Sequence, residues 1–139
     1  MTISAAPLVP VLTLVLWTLL VLGWLMAVRI PALQRLGITP YKVTRADLER
    51  LPASERNVSA NYQHLVEQPT LFYAVALSAA VLGLDDGLTL GLAWAYVGLR
   101  VVHSLIQNTV NRVMVRFLVF AAGTAVLLAL AVRALLTAL

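Results

Sequence analysis

Two sets of polar side chains recur at helical spacing in a chain that is otherwise mostly apolar. Asn57, Asn61, His64 and Gln68 fall at intervals of 4, 3 and 4, with Glu67 at the edge of the row. Arg100, His103, Gln107 and Asn111 repeat the pattern at intervals of 3, 4 and 4. Residues so spaced lie along one face of a helix, one turn above another. Two such faces turned toward each other assemble two imidazoles, several amides, a carboxylate and a guanidinium. Arg112 and Arg116 follow closely in the chain. Glu67 can neutralise one of Arg100, Arg112 and Arg116, and two guanidiniums are then left over. Guanidinium binds carboxylates through paired hydrogen bonds. A cation beside a thiol of ordinary pKa, about 8.5, raises its thiolate fraction at neutral pH. The set therefore suits an anion that carries carboxylate or thiolate groups. A plainer use of the same residues is a Glu67–Arg100 ion pair that fixes helix packing, with His103 satisfying a hydrogen bond and Arg112 flanking the membrane.

Other chemistries lack their residues. There is no cysteine, which excludes disulfides, thiolate metal sites and a cysteine nucleophile. Two histidines far apart in sequence with one nearby carboxylate do not make a metal site. Neither a serine elbow nor a glycine-rich phosphate loop is present.

Composition says what must position these groups. Apolar residues make up 61% of the chain and charged residues 12%, against about 45–50% and about 25% in soluble domains. The 139 residues read as one domain with no room for a separate soluble catalytic unit. Leu8 to Val28 carries no charge and spans about 31 Å as a helix, enough for a hydrocarbon core of roughly 30 Å. No basic residue precedes it and its apolar run is too long for a signal peptide. The next apolar run, Leu71 to Leu84, reaches only about 21 Å. The second span must therefore extend back through Pro69, Glu67 and His64 to Asn61, which draws Glu67 toward the membrane. Pro69 cannot donate to the carbonyl of Leu65, so a local bend is expected there. With spans at 8–28, 61–84, 88–107 and 113–132, residues 1–139 form an all-α membrane protein, a four-transmembrane-helix bundle. An ionisable group at membrane depth costs roughly 2.5–3.5 kcal/mol and persists when it is paired or lines a watery site.

The first loop, expected to be solvated on the lipid headgroups, holds Arg29, Arg35, Lys42, Arg45, Arg50 and Arg56, with Thr44 and Asp47 placed to cap a short turn. The second loop, Asp85-Asp86-Gly87, has no basic residue, and the third contributes Arg112. This imbalance puts the first and third loops in the cytoplasm and both termini outside, with Arg133 the dissenting charge. Glu67, Arg100, His103, Arg112 and Arg116 then lie at one level in the cytoplasmic half. The net charge of +4 gathers at the ends of apolar segments, as membrane-flanking residues do, which argues against a nucleic-acid surface.

Three blocks resemble the MAPEG family, the membrane-associated proteins of eicosanoid and glutathione metabolism. Asn61-Tyr62-Gln63-His64-Leu65-Val66-Glu67-Gln68-Pro69-Thr70-Leu71-Phe72-Tyr73 looks like its second-helix segment, with a glutamate before a proline. Arg100-Val101-Val102-His103-Ser104 is similar to its Arg-x-x-His-Ser/Thr run. Asn111-Arg112-Val113-Met114-Val115-Arg116-Phe117 resembles the entry to the fourth helix in bacterial members. The likeness covers about residues 10 to 135.

The resemblance implies a homotrimer in the bacterial inner membrane, with glutathione held between protomers near the cytoplasmic side. Arg116 matches the arginine that stabilises the thiolate, and Glu67 matches the glutamate that contacts glutathione. Arg100 and His103 match the third-helix pair, and Arg29 resembles a further basic contact. Asn61, His64, Gln107 and Arg112 complete the expected site. The implied activity is that of a glutathione- or thiol-dependent transferase or peroxidase acting on lipophilic electrophiles that arrive through membrane lipids. The sequence departs from the glutathione-using enzymes at their Arg-x-x-x-Asn-x-x-Glu motif, where it reads Ala60, His64 and Glu67. It also has Gln107 in place of a tyrosine, and Pro69 two residues after Glu67 instead of three. These departures bear on glutathione binding and leave a second reading open, a trimer that binds a lipid or amphiphilic anion without catalysis. Small multidrug transporters also have four short helices, but their essential carboxylate lies in the first span, and Leu8 to Val28 has none.

Overall fold

A computed structural model describes residues 3–139, which are all-helical. The chain forms α1 (Leu8–Arg35), a single 3-10 turn (Pro40–Lys42), α2 (Arg45–Glu49), α3 (Ala53–Glu67), α4 (Pro69–Val81), α5 (Gly87–Asn108) and α6 (Val113–Ala138). Three of these helices, α1, α5 and α6, are long and apolar enough to cross a membrane. Their outer faces carry large exposed side chains, among them Leu12, Leu16 and Leu20 on α1 and Leu118, Leu128 and Leu136 on α6. A surface of that kind is stable against lipid tails and not against water.

The second span expected from the sequence is divided. Gln68 keeps helical angles (φ −67°, ψ −38°), but the ladder breaks there and α4 restarts with Pro69 as its first residue. Proline lacks the N–H that would reach the carbonyl of Leu65, and its fixed φ suits the first position of a helix. Toward the N-terminus the helical path runs past Asn61 to Ala53.

The first helix continues to Arg35 instead of ending at Val28. Ala32 and Leu33 on this extra length are buried with Leu51 and packed by Leu36, Ile38, Val43 and Leu48. The Arg29–Arg56 stretch is accordingly a folded lid with a small apolar core, which corrects the solvated loop expected from its charges. Thr44 and Asp47 form a reciprocal capping box at the start of α2. The bond from the Thr44 hydroxyl holds the Asp47 carboxyl below its ordinary range. Gly37 (φ +66°) and Gly83 (φ +69°) close α1 and α4. In each case the residue after glycine donates back to the helix, Ile38 to Leu33 at 3.0 Å and Leu84 to Ala79 at 2.9 Å. Only a residue that tolerates positive φ fits this ending.

The central core runs along the bundle through Leu14, Val21 and Leu25 of α1, Leu65 of α3, Phe72 and Ala76 of α4, Tyr96 and Val97 of α5, and Leu127 and Leu130 of α6. Phe72 and Tyr96 stack with ring centroids 4.6 Å apart, which adds about 0.5–1.5 kcal/mol to their burial. One end of the bundle is fastened at Asp85–Asp86. Asp86 accepts from the amides of Leu88 and Thr89, capping α5, and pairs with Arg133 of α6 at 2.8 Å. The Ser4 hydroxyl meets Asp85 at 3.2 Å, and the Ser4 amide donates to the carbonyl of Ala80 at 3.0 Å. The far end, where α3, the C-terminal half of α5 and the N-terminal turns of α6 meet, holds the polar residues.

Candidate functional site

The two polar stripes face each other, as their periodicity requires. Asn61 of α3 is fully buried, and its side-chain oxygen accepts from the Ser104 hydroxyl of α5 at 3.0 Å. Asn57 accepts from the Asn111 amide at 3.0 Å, and Asn111 in turn accepts from Arg116 at 2.7 Å. Asn111 holds φ +44°, a left-handed conformation that asparagine tolerates and that turns the chain toward α6. Thus one asparagine both makes the turn and fixes the guanidinium of Arg116.

Arg100 is 3% exposed and carries no carboxylate partner. Its guanidinium donates to the side-chain oxygen of Gln68 and, at 3.1 Å, to the Tyr96 hydroxyl. It also lies 5.6 Å from the ring centre of Tyr96 and 5.3 Å from that of Phe120, within range of cation–π attraction. Gln68 completes the junction by donating to Thr124 of α6 at 2.8 Å.

The Glu67–Arg100 pair expected from the sequence is not formed. The Glu67 side chain is 70% exposed, and its ionisable neighbour is His64, with Nδ1 3.8 Å from its carboxylate. Successive helical residues are turned by about 100°, so Gln68, in register with Asn61 and His64, points at α5 while Glu67 points away. An amide is also cheaper to bury than a carboxylate. Among the described residues, Arg100, Arg112 and Arg116 are all without carboxylate partners, a larger cationic surplus than the two expected.

His64, His103 and Arg116 are brought together around one groove of about 240 Å³, completed by Val113, Phe117 and Phe120. The two imidazoles stand edge to face, with ring centroids 6.1 Å apart and planes at 84°. His103 is 4% exposed and has no hydrogen-bond partner among the described residues. Behind the groove, Asn61 Nδ2 and Gln107 Oε1 are buried without partners, so the polar seam between α3 and α5 holds unused donors and acceptors.

Two expected site residues lie outside this cluster. Arg29 turns instead to the buried Glu55, at 2.7 Å, and to Ser59, at 2.8 Å. Its charge is therefore answered within the chain. Arg112 is exposed at the N-cap of α6. The residues that the spacing did not single out are Tyr96, Phe120 and Glu55. Tyr96 sits four residues before Arg100, which is a legible helical signal. Glu55, in a stretch expected to be solvated, offered none.

A larger groove of about 650 Å³ lies between α5 and α6 near Arg133, lined mainly by leucine, alanine and valine. It lacks the chemistry of the smaller one, because its one arginine already pairs with Asp86.

A family model described as the MAPEG family matches residues 7–136, nearly the whole chain. No curated protein and no solved structure matches the chain.

Proposed function

The chain belongs to the MAPEG family, and from that premise we propose that it binds an anionic thiol of the glutathione type at Arg116 and presents its thiolate to lipophilic electrophiles. The observation that carries this reading is the groove that joins Arg116 to His64 and His103, with Arg100 buried behind Phe120 and no carboxylate answering either guanidinium. Cations at membrane depth are costly when unanswered. A bound anion supplies the missing charge, and a guanidinium beside sulfur favours the thiolate over the thiol. Phe117 and Phe120 give the groove an apolar wall suited to an electrophile arriving from the bilayer.

In this reading the protein crosses the membrane four times, the second crossing made by α4 with the last turns of α3. Loops one and three are cytoplasmic, in a bacterial inner membrane. Copies assemble as a homotrimer whose protomers close the open side of the groove. Glu67, exposed on the single chain, stands beside His64 on the outer side.

Titration calorimetry of the purified protein with glutathione, beside a conjugation assay with an aryl halide, tests the proposal. Saturable heat and enzyme-dependent conjugation are expected; their joint absence would overturn it. Two observations favour a second reading, in which the trimer binds a lipid or amphiphilic anion without catalysis. Ala60 and His64 replace the arginine and asparagine of the glutathione-using enzymes, and Arg29 is held by Glu55. Binding of an anionic amphiphile in the same calorimeter, with no glutathione heat, is its signature.

A further inference from the structure

We infer that His64 is the base that takes the proton of the bound thiol, with Glu67 holding the imidazolium that results. The inference rests on the thiol reading above. When a thiol becomes a thiolate beside Arg116, the S–H bond breaks, its electron pair stays on sulfur, and the proton needs an acceptor. Arg116 cannot be that acceptor, because a guanidinium is already protonated and has no lone pair to offer. Val113, Phe117 and Phe120 offer none either. Of the side chains around the groove, only the two imidazoles can form the new N–H bond.

The two are not equivalent. His103 is 4% exposed, one helical turn from Arg100, and without a carboxylate or a hydrogen-bond partner. A positive charge on it would be desolvated among guanidiniums. His64 stands at the rim with its side chain 44% exposed and its Nδ1 3.8 Å from a carboxylate oxygen of Glu67. The charged and titratable groups around it are Glu67 on its own helix, His103 and Arg100 on α5, and Arg116 on α6. Only Glu67 among them is negative. With Nδ1 turned toward Glu67, Nε2 is the nitrogen left to take the proton.

A base with a carboxylate behind it and the reacting proton in front is the general arrangement for activating a nucleophile. Here the nucleophile is brought by the ligand instead of by the chain. The thiolate then attacks an electrophilic carbon, a C–S bond forms, and the leaving group departs with its electron pair. Glu67 is 70% exposed, so the proton held on His64 passes to water at the rim. The His103 ring stands nearly perpendicular to the base, 6.1 Å away, and the exposed part of His64 is left for this transfer.

The test follows the proton as well as the rate. Intact protein in detergent is titrated with glutathione at neutral pH in two buffers of different ionisation enthalpy, which gives the protons released per ligand bound. The ultraviolet band of the thiolate is read in parallel. The wild type is expected to form thiolate with almost no proton released to buffer. His64→Gln is expected to form thiolate only at more alkaline pH and to release its proton to buffer, with aryl-halide turnover lower by about 10²-fold, the lower end for a positioned base. Glu67→Gln, which keeps the imidazole, is expected to move thiolate formation in the same direction by a smaller amount. Thiolate formation and proton release that are unchanged in both variants, in a wild type that binds the thiol, overturn the role of His64 and leave the thiol reading standing. A wild type that gives no thiolate band overturns both.

Discussion

The guanidinium of Arg100 donates to the side-chain oxygen of Gln68, an uncharged acceptor at the point where α3 gives way to α4. The Tyr96 hydroxyl approaches the same oxygen at 3.4 Å, and the Gln68 amide reaches Thr124 of α6 at 2.8 Å. One side chain thus ties the helix break to both α5 and α6. Replacing it by leucine leaves the buried guanidinium charged and short of an acceptor. Gln68→Leu should destabilise the protein by about 1.5–3 kcal/mol, the range for a hydrogen bond to a charged group. Unfolding by sodium dodecyl sulfate in mixed micelles measures this, and a loss under about 0.5 kcal/mol would remove Gln68 from this role.

Changing the same residue to glutamate asks a different question. Gln68→Glu places a carboxylate against Arg100 and cancels part of the cationic surplus behind the groove. Stability should hold or rise, while anion affinity falls by about tenfold, roughly 1.4 kcal/mol. Affinity equal to that of the wild type would mean that Arg100 contributes no field to the groove.

Among the described residues, Arg29 and Glu55 form the one ion pair with a buried partner, Glu55 being 2% exposed. Arg29→Met strands a buried carboxylate, and the expected cost is about 3 kcal/mol. The double variant Arg29→Met with Glu55→Leu should recover most of that loss. If the double variant is no more stable than the single one, the pair is not what holds α1 to α3.

Asp86 makes acid stability a property of one end of the bundle. The Thr89 hydroxyl, and then Arg133, hold its carboxyl well below the usual range. In the unfolded chain the same group titrates near about 3.9. The folded state binds this proton less readily, so the contribution of Asp86 is complete above that value. It is lost as pH falls toward the depressed folded value. Asp86→Asn should flatten this acid limb in a series of unfolding curves taken at falling pH. Superimposable acid limbs would count against the assignment.

Arg116 should separate chemistry from binding. With its guanidinium fixed by Asn111 at 2.7 Å, Arg116→Ala is expected to lower kcat of aryl-halide conjugation by at least about 10²-fold, as for loss of a preorganised charge stabiliser. The change in Kd for glutathione should be smaller. A fall in affinity with kcat intact would make Arg116 an anchor and not a stabiliser of the thiolate.

Much of the site was legible because helical period is a strong constraint. Asn61, His64 and Gln68 had to share a face, and so did Arg100 and His103, and turning the two faces together keeps both away from lipid. Glu67 was misplaced for an equally physical reason. The short apolar run required the helix to extend backward without fixing which side of it faces in. Charge attraction suggested Glu67, whereas the period had already assigned the inward position to Gln68. Glu55 and Arg29 escaped because a buried pair in a charged stretch looks like two solvated residues until the lid is folded over Leu51. The start of α4 could be read from Pro69 itself, since the missing N–H is a property of the residue.

The fastening at Asp85–Asp86 closes one end of the bundle. Ser4 and Arg133 are both held at that turn, and His103 lies about 25 Å further along α5 at 1.5 Å per residue. The opposite end is joined by its own bonds, Arg29 to Glu55, Ser104 to Asn61 and Asn111 to Asn57. There the seam between α3 and α5 leaves Asn61 Nδ2 and Gln107 Oε1 without partners, and the groove lies open beside it. The bundle is thus tied at both ends, and the far end keeps polar atoms in reserve beside an open groove.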